Sequence, residues 1–440
     1  MLLYNLRLAA RSIRRHPVLT GLIVAGIALG VAVSTTFLTV YNTLARDPIP
    51  GKSDRLHYVR LDSWDPRDAY SEDGAPPQQV TYQDLRRIMR SDIPTRQAAM
   101  FKSRMYIYPE KAGDRPFREL VRLTFSDFFP MFDVPFRYGS GWSRSADEKP
   151  EAVVVISSEL NDRLFGGENS VGRKIRIEEG EFRVVGVLDQ WRPRVLFYDM
   201  TQNPNQEPEN VFMPFNFIEP MEIQTAGNLM GWRQEEGDGF LERLHASEMA
   251  FAQMWVQLDD AAQVKAYHSF LDAYAMDQKK SGRFQRPLNN RVTPVLELME
   301  EWEVVPRQSR SLALISLLFL VVAALNLVGL FLGKFLARAS TVGVRRALGA
   351  SRRAIFLQHL VECELVGVLG GLAGLLLSLG SIAAVNRFYQ PGAADEAFFQ
   401  LDARMVGAAI VLSLIAAAIA GIYPAWRICA IPPARHLKNQ

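Results

Sequence analysis

The chain has 440 residues, 48% of them hydrophobic and 22% charged, with a formal net charge of +3 and a mean hydropathy near zero. Those averages would suit a soluble protein, but the apolar residues are gathered into long runs. The basic residues cluster beside those runs, which excludes a nucleic-acid stripe as the reason for their excess.

Residues 1–17 read as an amphipathic helix closed by Pro17. At about 100° per residue, Leu2, Leu3, Leu6, Ala9, Ala10 and Ile13 share one face and Arg7, Arg11, Arg14 and Arg15 share the other. A basic amphipathic helix leading into a span is expected to lie in the membrane interface against lipid; docking on protein is the alternative. Residues 18–45 carry no charge. That run exceeds the roughly 20 residues a helix needs to cross a bilayer. It is also much longer than the roughly 7–15-residue apolar core of a cleaved signal peptide, so it reads as an uncleaved first span. Gly26 and Gly30 stand four apart there, a spacing that lets backbones approach, and they are the candidate contact with a second copy of the chain.

Residues 46–310 are mostly polar and contain no cysteine, so a domain built from them folds without disulfides. The flanks, 46–135 and 245–305, read as a small α/β subdomain. Its strands are expected near 55–61, 98–108, 117–124, 252–258 and 291–298, with helices near 81–89 and 261–278. The insert, 136–244, reads as strand-rich, with a helix over 157–165, a strand over 174–178 and loops over 192–209 and 222–238. Gly167 to Gly172 is the nearest approach to a phosphate loop. It lacks the Lys-Ser/Thr that must follow the second glycine and reads as a turn.

Three further spans follow, at 311–333, 354–385 and 405–426, joined by loops at 334–353 and 386–404 and ending in a tail over 427–440. Lys334, Arg338, Arg345, Arg346, Arg352 and Arg353 fall in the first loop without an acid. Arg427, Arg435 and Lys438 fall in the tail, and Asp395, Glu396 and Asp402 fall in the second loop. Basic loops stay on the cytoplasmic side. Both termini and the 334–353 loop are therefore expected in the cytoplasm, with the large domain and the acidic loop outside a bacterial inner membrane. Gly367 with Gly371, and Gly370 with Gly374, repeat the four-residue spacing in the third span. Glu362 and Glu364 are expected to pair with Arg352 and Arg353, a proton relay being the alternative, and Asn326 to join helices.

The six histidines are scattered, with no His-Glu-x-x-His pair, and no Gly-x-Ser-x-Gly elbow occurs. No catalytic residue, metal site or cofactor site is expected. The 334–353 loop has a different character. Residues 342–348 suit a short helix that Gly349 stops in a left-handed cap, and Ser351 suits the N-cap of the helix entering the third span. A capped basic helix between two spans is a lever.

This loop, running on through Phe356-Leu357-Gln358-His359-Leu360-Val361-Glu362, resembles the signature of the FtsX-like permeases, the family of MacB-type and LolC/LolE-type ABC transporters. Ala152-Val153-Val154-Val155-Ile156 through Leu164-Phe165-Gly166, then Val171-Gly172-Arg173-Lys174-Ile175 and Phe182 to Val187, are similar to that family's outer-domain core. Gly421-Ile422-Tyr423-Pro424-Ala425-Trp426-Arg427 with Pro432 to Leu437 is similar to its C-terminal end. The loop departs from the family pattern at Thr341, where an acid is usual.

The resemblance implies an α-helical membrane protein of four transmembrane helices, with a large α+β extracytoplasmic domain of the MacB-like periplasmic type, in two subdomains, inserted between the first two. It implies a permease that borrows ATP and Mg from a separate cytoplasmic ATPase subunit in the split arrangement, docked on Val342, Val344, Arg345, Arg346, Leu348, Gly349, Ser351 and Arg352. It implies a second permease, a copy or a paralogue, meeting the Gly26–Gly30 face, and a periplasmic adaptor with an outer-membrane channel. Substrate is left open among drug, peptide, siderophore and lipoprotein. A non-transporting relay of the cell-division type and a membrane-anchored receptor without an ATPase stay as alternatives.

Overall fold

The computed structural model describes residues 2–110, 115–193, 195–201, 208–233, 238–389 and 398–430, with only the backbone of 2–5 and 389. Asp395, Glu396, Arg435, Lys438 and the 432–437 part of the C-terminal stretch lie outside the described residues. In chain order the elements are α1 (Leu2–Arg15), α2 (Pro17–Leu44), β1 (Leu56–Arg60), β2 (Val80–Thr81), α3 (Tyr82–Ile88), β3 (Arg96–Tyr108), β4 (Phe117–Thr124), α4 (Phe128–Met131), β5 (Phe136–Gly139), α5 (Ser145–Glu148), β6 (Val153–Ile156), α6 (Ser158–Phe165), β7 (Lys174–Ile177), β8 (Gly180–Leu188), β9 (Val211–Pro214), α7 (Phe240–Ala246), β10 (Ala250–Gln257), α8 (Ala261–Lys280), β11 (Arg291–Pro294), α9 (Val295–Glu301), α10 (Arg307–Leu336), α11 (Ala339–Ala347), α12 (Arg352–Tyr389) and α13 (Ala403–Ala430). They divide into two compact units, Asp47–Val304 on the one hand and Met1–Arg46 with Val305–Gln440 on the other.

Within the helical unit, α2, α10, α12 and α13 are each long and apolar enough to cross a membrane. Helix α12 packs on α1, α2 and α13, and α10 packs on α2 and α13. The glycines of α12 set its spacing to two neighbours. A Cβ on Gly370 would stand 2.7 Å from Ile27 Cβ of α2, and one on Gly367 would stand 2.6 Å from Ala417 Cβ of α13. Each helix therefore approaches α12 where side chains are missing.

The other unit is built on an 11-stranded sheet in the order β11-β1-β10-β3-β4-β9-β6-β8-β5, with β2 on β10 and β7 on β3 and β8. The pairings are antiparallel except β4 with β9 and β6 with β8. Side chains alternate faces along a strand. Val59, Ala99, Phe101, Val154 and Ile156 build one core with α3, α6 and α8. Their neighbours Tyr58, Ala98, Met100, Val153 and Val155 build the other with α4 and α9. Both cores draw on the 46–135 and 245–305 flanks and on the 136–244 insert, so the two expected pieces share one sheet. The expected strand over 291–298 stops at Pro294, which is followed at once by α9.

Within the expected 192–209 loop, residues Val195 to Met200 have no regular structure yet are buried. Paired charges hold them down. Arg122 Nη2 lies 2.6 Å from Asp199 and also donates to Glu209, all three being fully or almost fully buried. Lys102 Nζ is 3.4 Å from Asp199. The Tyr198 carbonyl accepts from Trp255 Nε1 at 3.0 Å, and the Tyr198 hydroxyl donates to Glu209 at 3.1 Å.

Candidate functional site

Helix α10 ends at Leu336, and after Arg338 the chain turns into α11, which begins three residues before the predicted start at Val342. Its other end follows the sequence. Gly349 has φ +101°, a conformation that glycine adopts without the Cβ penalty, and Ala350 N–H closes the turn on the Arg345 carbonyl at 3.0 Å. Ser351 Oγ accepts from Ala354 N–H at 3.2 Å and so caps α12.

The predicted site residues divide by direction. Ala339 and Val342 face inward and join the core of the helical unit with Phe331, Phe335 and Ile355. Arg345 donates to Gln358 Oε1 at 2.6 Å, tying α11 to α12, and Arg346 donates to the Cys429 carbonyl at 3.1 Å, tying it to α13. Val344, Leu348 and Arg352 are exposed. Leu348 is 84% exposed, more than any span leucine here, on a helix end that two arginines hold still. Among the described residues no group of His, Cys, Asp or Glu could hold a metal.

One expectation needs correction and two others gain detail. Gly26 and Gly30 are filled from within the chain: a Cβ on Gly26 would stand 2.9 Å from Leu327 Cδ2, and one on Gly30 would stand 2.7 Å from Leu320 Cδ1. That face of α2 seats α10, so it is not free for a second copy. Asn326 is exposed on α10, with no side-chain hydrogen bond to another helix among the described residues. Helix α1 docks on protein through Ala9, Ser12 and Ile13, against α12, while Arg7, Arg11, Arg14 and Arg15 stay exposed.

A fourth concerns the acids. Among the described residues no ion pair joins Glu362 or Glu364 to Arg352 or Arg353. Glu362 is instead buried against Lys334 Nζ at 2.8 Å, with the two side chains 2% and 0% exposed, and Arg338 Nη1 lies 3.6 Å away. Ser12 Oγ donates to Glu362 and accepts from Arg338 Nη1, whose Nη2 also donates to the Ser12 carbonyl at 3.1 Å. Sequence reasoning missed this group because its members sit on three different helices, with Ser12 350 residues from Glu362. The one local signal was a lysine and a glutamate at the ends of apolar runs.

Four spans with a short, held helix between the second and third, and a sheet domain inserted between the first and second, define a multi-pass membrane protein of the transporter-permease class. Residues 20–273 match the MacB-like periplasmic core domain, and residues 313–433 match the FtsX-like permease C-terminal domain. The chain belongs to the FtsX/MacB-type family of ABC transporter permeases. It is 25% identical over 320 residues to the pyoverdine export ATP-binding/permease protein PvdT of Pseudomonas aeruginosa, a match covering 72% of this chain and 41% of that protein. The chain thus spans less than half the length of that relative. It is 21% identical over 458 residues to the ABC transporter permease YvrN of Bacillus subtilis, covering 100% of both. The crystal structure of the periplasmic region of MacB from Actinobacillus actinomycetemcomitans is similar at 11% identity and a TM-score of 0.36, covering 57% of this chain and 94% of that one.

Proposed function

We propose that this chain is the membrane subunit of an ATP-driven exporter, in which a separate cytoplasmic ATPase moves α11 and the movement is carried to the domain between α2 and α10. Nucleotide and Mg are bound by that partner. The observation that carries the reading is Leu348: an exposed leucine at the end of a short helix that Val342, Arg345 and Arg346 fix to its own unit. A rigid basic helix with an apolar tip fits a groove on a partner and can act as a two-state lever biased by what the partner binds. The acid-free 334–353 loop supports a cytoplasmic setting for it.

The partner ATPases work as a pair, so a second permease, a copy or a paralogue, completes the assembly. With Gly26 and Gly30 occupied, the open small-residue face is on α10. Gly329 and Gly333 are four apart, a Cβ on either would meet nothing within 4 Å, and exposed Asn326 lies on the same face. An asparagine there gains from a hydrogen bond across a helix pair. In an inner-membrane setting the periplasmic-type domain would meet an adaptor and, through it, an outer-membrane channel. The similarity to pyoverdine and macrolide export proteins supports export as the direction.

The test is Leu348→Asp, which puts an unpaired charge into a contact that should be apolar, at a cost of several kcal/mol. The variant is expected to insert normally and lose co-purification with its ATPase. Retained complex and turnover would overturn the reading.

A further inference from the structure

Helix α11 follows α10 directly, through Arg338, so any movement of α11 reaches the second span along the backbone. The inserted domain hangs from two spans, however, and no backbone joins α11 to α2. Helix α10 packs on α2 through Leu320 and Leu327, and polar side chains add a second connection through α1. Arg338, the residue just before α11, donates to both the hydroxyl and the carbonyl of Ser12 on α1. Ser12 Oγ donates to Glu362 of α12, and Glu362 holds Lys334 in the last turn of α10. The Phe335 ring packs on His359 at 4.4 Å, closing the group beside Glu362. Helix α1 then runs into α2 across His16 and Pro17.

We propose that Glu362 is a positioning residue. With Ser12, Lys334 and Arg338 it locks α1, the α10–α11 hinge and α12 into one body, so that movement of α11 drives α1, and through it α2, together with α10. A charge buried at this depth is stable only with its partners in place, so the group is held closed unless several contacts break together. Both spans bearing the inserted domain would then be driven from one lever, through this group as well as through the packing of α10 on α2. The inference takes its purpose from the coupling reading above, but its geometry and its test do not require an ATPase.

The test uses the full chain in nanodiscs without a partner. Spin labels go on Arg14→Cys and Leu348→Cys, both exposed positions, with the parent chain as control for the buried Cys363 and Cys429. The α1–α11 distance distribution is expected to be single and narrow in the otherwise unaltered chain and to broaden with a second population in Glu362→Gln. Lys334→Arg, which keeps the charge, is expected to preserve the narrow distribution. Should Glu362→Gln fail to insert, Ser12→Ala with Arg338→Gln frees α1 while leaving the Lys334–Glu362 pair intact, and the same broadening is expected. An unchanged distribution in either variant overturns the proposal, and so does broadening that Lys334→Arg produces equally. Retained ATPase docking and turnover in Leu348→Asp with this result intact would sink the coupling reading alone.

Discussion

Arg122 in the sheet unit is fully buried and held by two carboxylates. Removing one member of a buried charge group strands the others, so Arg122→Ala is expected to destabilise this unit by about 3–5 kcal/mol, read as a lower denaturant midpoint. Arg122→Met keeps the volume but strands the same carboxylates, and is expected to lie close to it. Burial by itself would raise the Asp199 carboxyl, but Arg122 and Lys102 outweigh it and hold the group down at about 2. A depressed folded pKa contributes stability that is present above the unfolded value and lost as pH falls toward the folded one. The stability gap between the unaltered unit and Asp199→Asn is therefore expected to be full above about pH 4 and to close toward about pH 2. A gap that stays constant over that range would mean that the carboxylate is not held by these cations.

Helices pair here by what their faces lack, and this separates two sets of glycines that look alike in sequence. Gly26→Leu with Gly30→Leu would drive side chains into Leu327 and Leu320. It is expected to disrupt the α2–α10 pair and lower the yield of inserted protein. Gly329→Leu with Gly333→Leu meets open space within the chain. It is expected to leave insertion intact while shifting a crosslinked permease pair toward the single chain. If the second variant pairs normally, the dimer uses another face. Local chemistry also sets the ends of elements: the Thr81, Ser157 and Asp260 side chains accept from backbone N–H groups and cap α3, α6 and α8, and Pro294 ends β11 where alternating apolar residues alone would continue it.

For the whole molecule, the inserted domain is a closed unit from Asp47 to Val304. A fragment of those residues is expected to unfold in a single cooperative transition, because one sheet and two cores run through it. Deleting residues 136–244 removes β5 to β9, with Val154, Ile156 and Phe212, from both cores. That deletion is expected to abolish the transition altogether. A shortened fragment that still melts cooperatively would mean that the flanks form a separate fold.

The four spans, the inserted domain, most of its strands and a capped helix, predicted over 342–348 and observed at Ala339–Ala347, were legible from residues alone. Run length, period-two alternation, capping side chains and a left-handed glycine are local signals, with energies set within a few neighbouring residues. Three things were decided only when distant segments met. The 192–209 stretch reads as polar loop, yet its Val195–Met200 part is core, because Arg122 and Lys102 arrive from β3 and β4 to neutralise Asp199. Gly26 and Gly30 show their spacing in the sequence but not their partner, which α10 supplies. Glu362 reads as a neighbour of Arg352 and Arg353. It is instead buried with Lys334, Arg338 and Ser12, because α12 folds back beside the end of α10 and α1 brings Ser12 from 350 residues away. Spacing along one helix restricts which face a residue occupies, but the partner of a buried charge is chosen by the elements that close over it.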